Sequence, residues 1–296
     1  MNKPVSKLND FTEKYRSEVD QALSDGLDQV TGKADQDFTG MLAYGLLNGG
    51  KRWRPLLTLM VLAGADRTLS PDLIRYASAV EWVHAYSLVH DDLPAMDNDQ
   101  YRRGQLSLQA KYGAANAVLA GDALLTGAFE VLAGIETIPA KIRLEATQSL
   151  GRYAGARGMV LGQYHDLANH GESQYQNSQE LLAAIYRPKT AALMTYAALA
   201  GAIVLAWPPM AQATLVRWAD LFGLSYQIQD DLDDYQQDNG EDIQSLPHLV
   251  GLEKAQSLQA DMLEMAKVAL RDLMKMVPGY DASLLIDLTK QLGEQE

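Results

Sequence analysis

The chain of 296 residues contains no cysteine. That excludes disulfides and any thiolate-held metal, and it fits a reducing compartment such as the cytoplasm. Nor is there a basic excess: 25 Lys and Arg against 38 Asp and Glu leave a net charge of -13. Nucleic acid is therefore not an expected partner, since binding it needs a basic footprint. The opening Met1-Asn2-Lys3-Pro4-Val5-Ser6-Lys7 has no apolar signal core, so export is not expected. Strand-like alternation is nearly absent, and there is no internal repeat, low-complexity tract or long linker. Helical periodicity dominates instead, and the expected fold class is all-α, a single domain over 1–296 large enough to bury a full core.

From Thr190 to Val216 charge is missing altogether. The alanine-rich run there is about the length of a bilayer span. Pro208-Pro209 interrupts it, and a helix apolar on all sides within a large helical domain accounts for it better, so no membrane span is expected. Periodicity places helices over Pro71 to Asp92, Gln105 to Leu132, Ala140 to Asn169, Asn177 to Trp207, Met210 to Asp234 and Leu252 to Met276. Asn48-Gly49-Gly50 stops an earlier helix, and Pro55 lies near the start of the next.

Against this apolar background stand two aspartate clusters, Asp91-Asp92-Leu93-Pro94-Ala95-Met96-Asp97 and Asp230-Asp231-Leu232-Asp233-Asp234. Like charges at that density repel, and hard divalent cations with oxygen ligands would relieve them. Mg²⁺ takes one or two carboxylates and completes its shell with water and phosphate, so two clusters facing each other could hold several ions around one diphosphate. Asp230 and Asp234, with Gln227 one turn earlier, share a helix face. In the first cluster His84, Ser87 and Asp91 recur at helical spacing, after which Pro94 ends the turn and lets Asp97 curl back. A solvated acidic helix end is the plainer alternative; the apolar flanks, Ala85 to Val89 and Leu221 to Tyr226, are poor company for it.

Basic residues stand beside the carboxylates. Gly49-Gly50-Lys51-Arg52-Trp53-Arg54-Pro55 is a glycine turn that brings Lys51 and Arg54 close, though it lacks the spacing of a P-loop. Alone it reads better as a surface basic turn. Arg102-Arg103 directly after the first cluster alternates phosphate-binding guanidiniums with metal-binding carboxylates. Lys189-Thr190 opens the uncharged stretch, where a lone lysine is costly unless it serves a partner. His90 reads better as a histidine held by a helix neighbour than as a ligand. No Ser/His/Asp arrangement is recognisable.

With GGKRWRP, VHAYSLVHDDLPAMDNDQYRRG, LAGDALL, GQYHDL, YRPKTAAL and YQIQDDLDD in that order, the sequence resembles the trans-isoprenyl diphosphate synthases, closely the bacterial short-chain farnesyl diphosphate synthase group. The resemblance implies an all-α fold with a central active-site cavity, a homodimer, and condensation of an allylic diphosphate, dimethylallyl or geranyl, with isopentenyl diphosphate. It implies that Asp91, Asp97 and Asp230 bind Mg²⁺, three ions when substrate is present, with Asp92, Asp231 and Asp234 in support. It gives Arg102 and Lys189 to the allylic diphosphate, and Lys51, Arg54, His84 and Arg103 to isopentenyl diphosphate. Thr190 and Gln227 would stabilise the allylic cation through their oxygen dipoles, and Asp166 would act from behind. Tyr86 with Ser87, together with Ala95-Met96 inside the first cluster, resembles the farnesyl-producing pattern.

The sequence also departs from that pattern. The loop after the second cluster is short, with Ile243 where the family carries a lysine. Tyr186 stands in place of a histidine, and the end Gly293-Glu294-Gln295-Glu296 replaces a basic tail. These changes leave open a low-activity or non-catalytic diphosphate-binding subunit and a geranylgeranyl diphosphate synthase. A class I terpene cyclase fits less well, having no use for Lys51, Arg54 and Arg103.

Overall fold

A computed structural model describes residues 7–32, 34–169, 175–235 and 245–294. Their regular elements are helical apart from one two-residue antiparallel ladder, β1 (Tyr101–Arg102) with β2 (Gln105–Leu106). The described residues within 1–59 and 68–147 form one compact unit, and those within 60–67 and 148–296 form another.

The first unit holds α1 (Lys7–Thr31), α2 (Gln36–Leu46), the start of α3 (Trp53–Gly64), α4 (Pro71–Asp91), α5 (Leu108–Tyr112), α6 (Ala114–Ala133) and most of α7 (Ala140–Ala154). At its heart is α4, packed against α1, α2 and α6. Ser70 caps it by accepting from Leu73 N at 3.3 Å and Pro71 supplies the first turn, a cap worth about 1 kcal/mol. Buried side chains run along α4 from Leu73 to Val89 on every face. The helix that carries the first aspartate cluster is thus a core element with its acidic end emerging from it.

The second unit contains α8 (Met159–Ala168), α9 (Ser178–Leu181), a π-helical segment (Leu182–Ala191), α10 (Ala192–Val204), α11 (Pro209–Asp234), α12 (Leu246–Val250), α13 (Leu252–Met276) and α14 (Ser283–Gly293). Here α11 packs against α13, α10 and the π-helical segment, and α8 lies along that segment. The uncharged stretch becomes mainly α10, 13 residues long and buried almost throughout, too short for a bilayer span. Among the described residues one helix, α6, is long and apolar enough to cross a membrane, and 44% of its apolar window is buried.

Three expected helices are interrupted. Gln105 to Leu132 contains β2 and then a break at Gly113, whose φ of 89° lies in the left-handed region. Ala140 to Asn169 divides at the turn between α7 and α8. Asn177 to Trp207 is interrupted by the π-helical segment around Pro188. Proline lacks an N–H and crowds the carbonyl four residues back, so an α ladder cannot pass through it. The wider winding accommodates it, and the N–H of Ala192 reaches Arg187 O five residues earlier. Leu252 to Met276 is observed as expected.

Candidate active site

In the first unit the acidic cluster forms as α4 ends. Leu93 N still donates to His90 O at 3.1 Å, then Asp97 N turns back to Asp91 O at 2.9 Å. This is the curl that Pro94 predicts. Asp97 is exposed and Asp91 half-buried, whereas Asp92 points inward and is 2% exposed. Arg102 Nε donates to Asp92 at 2.9 Å and its Nη2 to Asp99 at 3.0 Å. Burial lifts the Asp92 carboxyl above the usual range despite that partner. Burial opposes the charge of Arg102 too, but the hydrogen bond and charge of Asp92 prevail and raise it. Ser107 and Gln109 both donate to Asp99 O, at 2.7 and 2.9 Å, and so anchor the loop.

The ladder sends neighbouring arginines apart. Arg103 and Gly104 have φ of 54° and 76°, the left-handed pair that a tight hairpin turn requires. A non-glycine residue there costs roughly 1–2 kcal/mol. Arg102 consequently faces the aspartates, while Arg103 Nη1 donates to Gly49 O at 2.6 Å and Asn48 O at 3.2 Å. The glycine turn is held from below by Arg52, 3% exposed, which reaches Asp20 at 2.8 Å, Glu81 at 3.0 Å and Leu46 O at 3.2 Å. With Arg52 spent on structure, Lys51 is left exposed and Arg54 half-buried. His84 is held well below its ordinary value by burial first, then by Arg54, Arg103, Arg52 and Arg102. Burial also lowers Arg103, and Arg52, Arg102 and Arg54 add to the lowering against Glu81. A basic group under such mutual repulsion is a site suited to an anion.

Farther up α4, Tyr86 is 6% exposed, with its ring edge-on to His90 at 5.7 Å. Burial, then Asp91, pushes its phenol up to about 12. Ser87 donates to His84 O at 2.9 Å. His90 Nε2 lies 3.1 Å from Val118 O on α6, the helix neighbour expected to hold it.

In the second unit the π-helical segment presents Lys189 and Thr190. It approaches α8 so closely that a Cβ on Gly162 would lie 2.2 Å from Lys189 N; only glycine fits there. One turn along α8 is Asp166, whose carboxylate pairs with the Lys189 ammonium. Thr190 Oγ1 donates to Gln227 Oε1 at 2.6 Å, and Gln227 Nε2 donates to Asp231 Oδ1 at 2.9 Å. Tyr186 donates to Asp231 Oδ2 and accepts from Leu246 N at 2.7 Å. Burial lifts Asp231 above the usual range against these donors. Asp230 is half-buried and Asp234 exposed.

Among the described residues no three His, Asp or Glu side chains form a closed metal cage. Mg²⁺ does not require one. Each cluster offers hard oxygen donors, Asp91 and Asp97 in the first and Asp230 and Asp234 in the second, of the kind that ion takes while keeping water and phosphate in its shell. Asp92 and Asp231 face protein donors instead. The part played by Asp99 was not foreseen, nor were those of Arg52 and Tyr186; only Tyr186 carried a signal, as a departure from the resemblance. Ile243 and the loop around it lie outside the described residues, as do Gln295 and Glu296.

Residues 35–269 match the polyprenyl synthetase family. The farnesyl diphosphate synthase of Geobacillus stearothermophilus is 37% identical over 227 residues, 76% of this chain and 74% of that one. Geranylgeranyl pyrophosphate synthase 7, chloroplastic, of Arabidopsis thaliana is 35% identical over 289 residues, 93% and 80% of the two chains. The crystal structure of an FPP/GFPP synthase from Zymomonas mobilis is similar with a TM-score of 0.83 at 32% identity, covering 96% of this chain and 98% of that one. The chain belongs to the polyprenyl synthetase family: it is a trans-prenyltransferase with the all-α isoprenoid synthase fold.

Proposed function

We propose that the protein is a Mg²⁺-dependent short-chain synthase that condenses isopentenyl diphosphate with dimethylallyl or geranyl diphosphate to give farnesyl diphosphate. The basic group of Lys51, Arg54, Arg103 and His84 carries this reading, because two-substrate condensation needs a diphosphate site separate from the carboxylates. The repulsion that the surrounding arginines exert on His84 and Arg103 is one an incoming diphosphate would relieve. Arg102 and Lys189 would hold the allylic diphosphate. Each is compensated by a carboxylate, Asp92 or Asp166, that fixes its place.

Asp91, Asp97, Asp230 and Asp234 would bind Mg²⁺, with Asp92 and Asp231 behind them. Bound Mg²⁺ would neutralise the diphosphates and stabilise charge on the departing oxygen. The oxygens of Thr190 and Gln227 would face the positive charge as the allylic C–O bond breaks. The double bond of isopentenyl diphosphate then attacks, a C–C bond forms, and the departing diphosphate takes the proton released. No protein nucleophile is needed. The whole of 1–296 would serve as one domain, since two of the boundaries between the compact units, at 59/60 and 147/148, fall inside α3 and α7. Exposed Val118 and Leu119 on α6 offer a face that a second copy would cover in a cytoplasmic homodimer.

The fifteen-carbon product rests on buried Tyr86 and on the farnesyl relatives. A twenty-carbon product is the alternative, favoured by the geranylgeranyl relative that covers more of the chain. Purified protein should incorporate labelled isopentenyl diphosphate only with an allylic primer and Mg²⁺. Primer-independent conversion, or cyclic hydrocarbon from an allylic diphosphate alone, would contradict the reading.

A further inference from the structure

Asp231 of the second aspartate cluster is a middle link in a hydrogen-bond relay that starts at Tyr186, a residue given no task in the proposed function, and ends at Thr190. Tyr186 is 5% exposed and sits on the π-helical segment three residues before Lys189. A phenol has one proton to give, and here it goes to Asp231 Oδ2 while the oxygen accepts from Leu246 N at 2.7 Å. Burial, with Asp231 beside it, raises the phenol far above its ordinary range, so it remains a donor. The other carboxylate oxygen of Asp231 accepts from Gln227 Nε2 at 2.9 Å.

Asp231 Oδ1 takes the Gln227 Nε2 donor, so the amide of Gln227 turns its NH₂ toward Asp231. Its Oε1 is then the atom that meets the Thr190 hydroxyl at 2.6 Å. The direction of every bond is fixed in turn from Tyr186 to Thr190. A Gln227 amide turned over would present N–H dipoles, which repel positive charge. We propose that Tyr186 is a positioning residue for prenyl transfer, acting through Asp231 to keep the oxygens of Gln227 and Thr190 in the orientation that stabilises the allylic cation. The inference rests on the role given to Gln227 and Thr190 under the proposed function.

Replacing Tyr186 with Phe removes the hydrogen bond to Asp231 and leaves Oδ2 with Leu246 N at 3.4 Å. Asp231 can then turn and release the amide. The test is a cycle of wild type, Tyr186→Phe, Gln227→Leu and the double variant, measuring kcat and KM for both diphosphates. Tyr186→Phe should lower kcat by about 10- to 100-fold, as loss of an orienting partner does, with both KM values within about threefold. On the Gln227→Leu background the same change should cost little further, because the relay is already cut. If Tyr186→Phe fails to fold, Asp231→Asn replaces it, since an asparagine offers one acceptor and cannot serve both donors. A folded Tyr186→Phe or Asp231→Asn protein with wild-type kcat, or losses that multiply independently with Gln227→Leu, would overturn the relay alone. Absence of turnover by the wild type with every primer would overturn the prenyltransfer reading and the relay with it.

Discussion

The backbone N–H of Asp97 donates to the carbonyl of Asp91 at 2.9 Å, so the chain beyond Pro94 folds back on the end of α4. Two carboxylates separated by six positions thereby belong to one corner. If this corner and Asp230 hold Mg²⁺, Asp91→Ala or Asp230→Ala should lower turnover by about two orders of magnitude or more. Circular dichroism should show the helices unchanged. Full activity in the presence of chelator would refute the metal assignment.

His84 predicts how stability depends on pH. Its folded value lies well below the ordinary 6.5, because burial and four arginines disfavour its proton. Between those two values the unfolded chain binds more protons than the folded one, so this contribution is complete above 6.5 and is lost as pH falls toward the folded value. His84→Gln should therefore lose less stability than wild type between about pH 7 and pH 5 in thermal melts. Equal losses would assign the pH response to other groups.

Tyr86 is buried on α4 five residues before Asp91. If its ring is the floor that stops the growing chain, Tyr86→Ala should shift the dephosphorylated products beyond fifteen carbons. Truncating a buried aromatic also costs about 3 kcal/mol of stability. A well-folded Tyr86→Ala enzyme with unchanged products would leave the ring with a packing role only.

Much of this was legible in the sequence because charge in apolar company is conspicuous. The aspartate clusters, the Arg102-Arg103 pair and the turn at Lys51 all stand out from helices whose periodicity places α4, α11 and α13 within a residue or two. What stayed hidden depends on contacts distant in sequence or on backbone shape. Arg52 looked like its neighbours Lys51 and Arg54, yet it is buried against Asp20 of α1 and Glu81 of α4. The π-helical winding at Pro188 changes which side chains share a face, and no 3.6-residue period could reveal it. The i, i+4 spacing from Gln227 to Asp231 was readable; its meaning required Tyr186, 45 residues away.

Two separate basic sets would hold the two diphosphates, Lys51, Arg54, His84 and Arg103 for isopentenyl diphosphate and Arg102 and Lys189 for the allylic partner. Steady-state KM values for both substrates in Lys51→Ala, Arg54→Ala and Lys189→Ala test this most directly. A charge-assisted contact worth roughly 1.5–3 kcal/mol predicts about a 10- to 100-fold rise in one KM with little change in the other. The first two variants should weaken isopentenyl diphosphate, and the third the allylic diphosphate. Equal weakening of both substrates by every variant would show that the two diphosphates do not occupy separate basic sets.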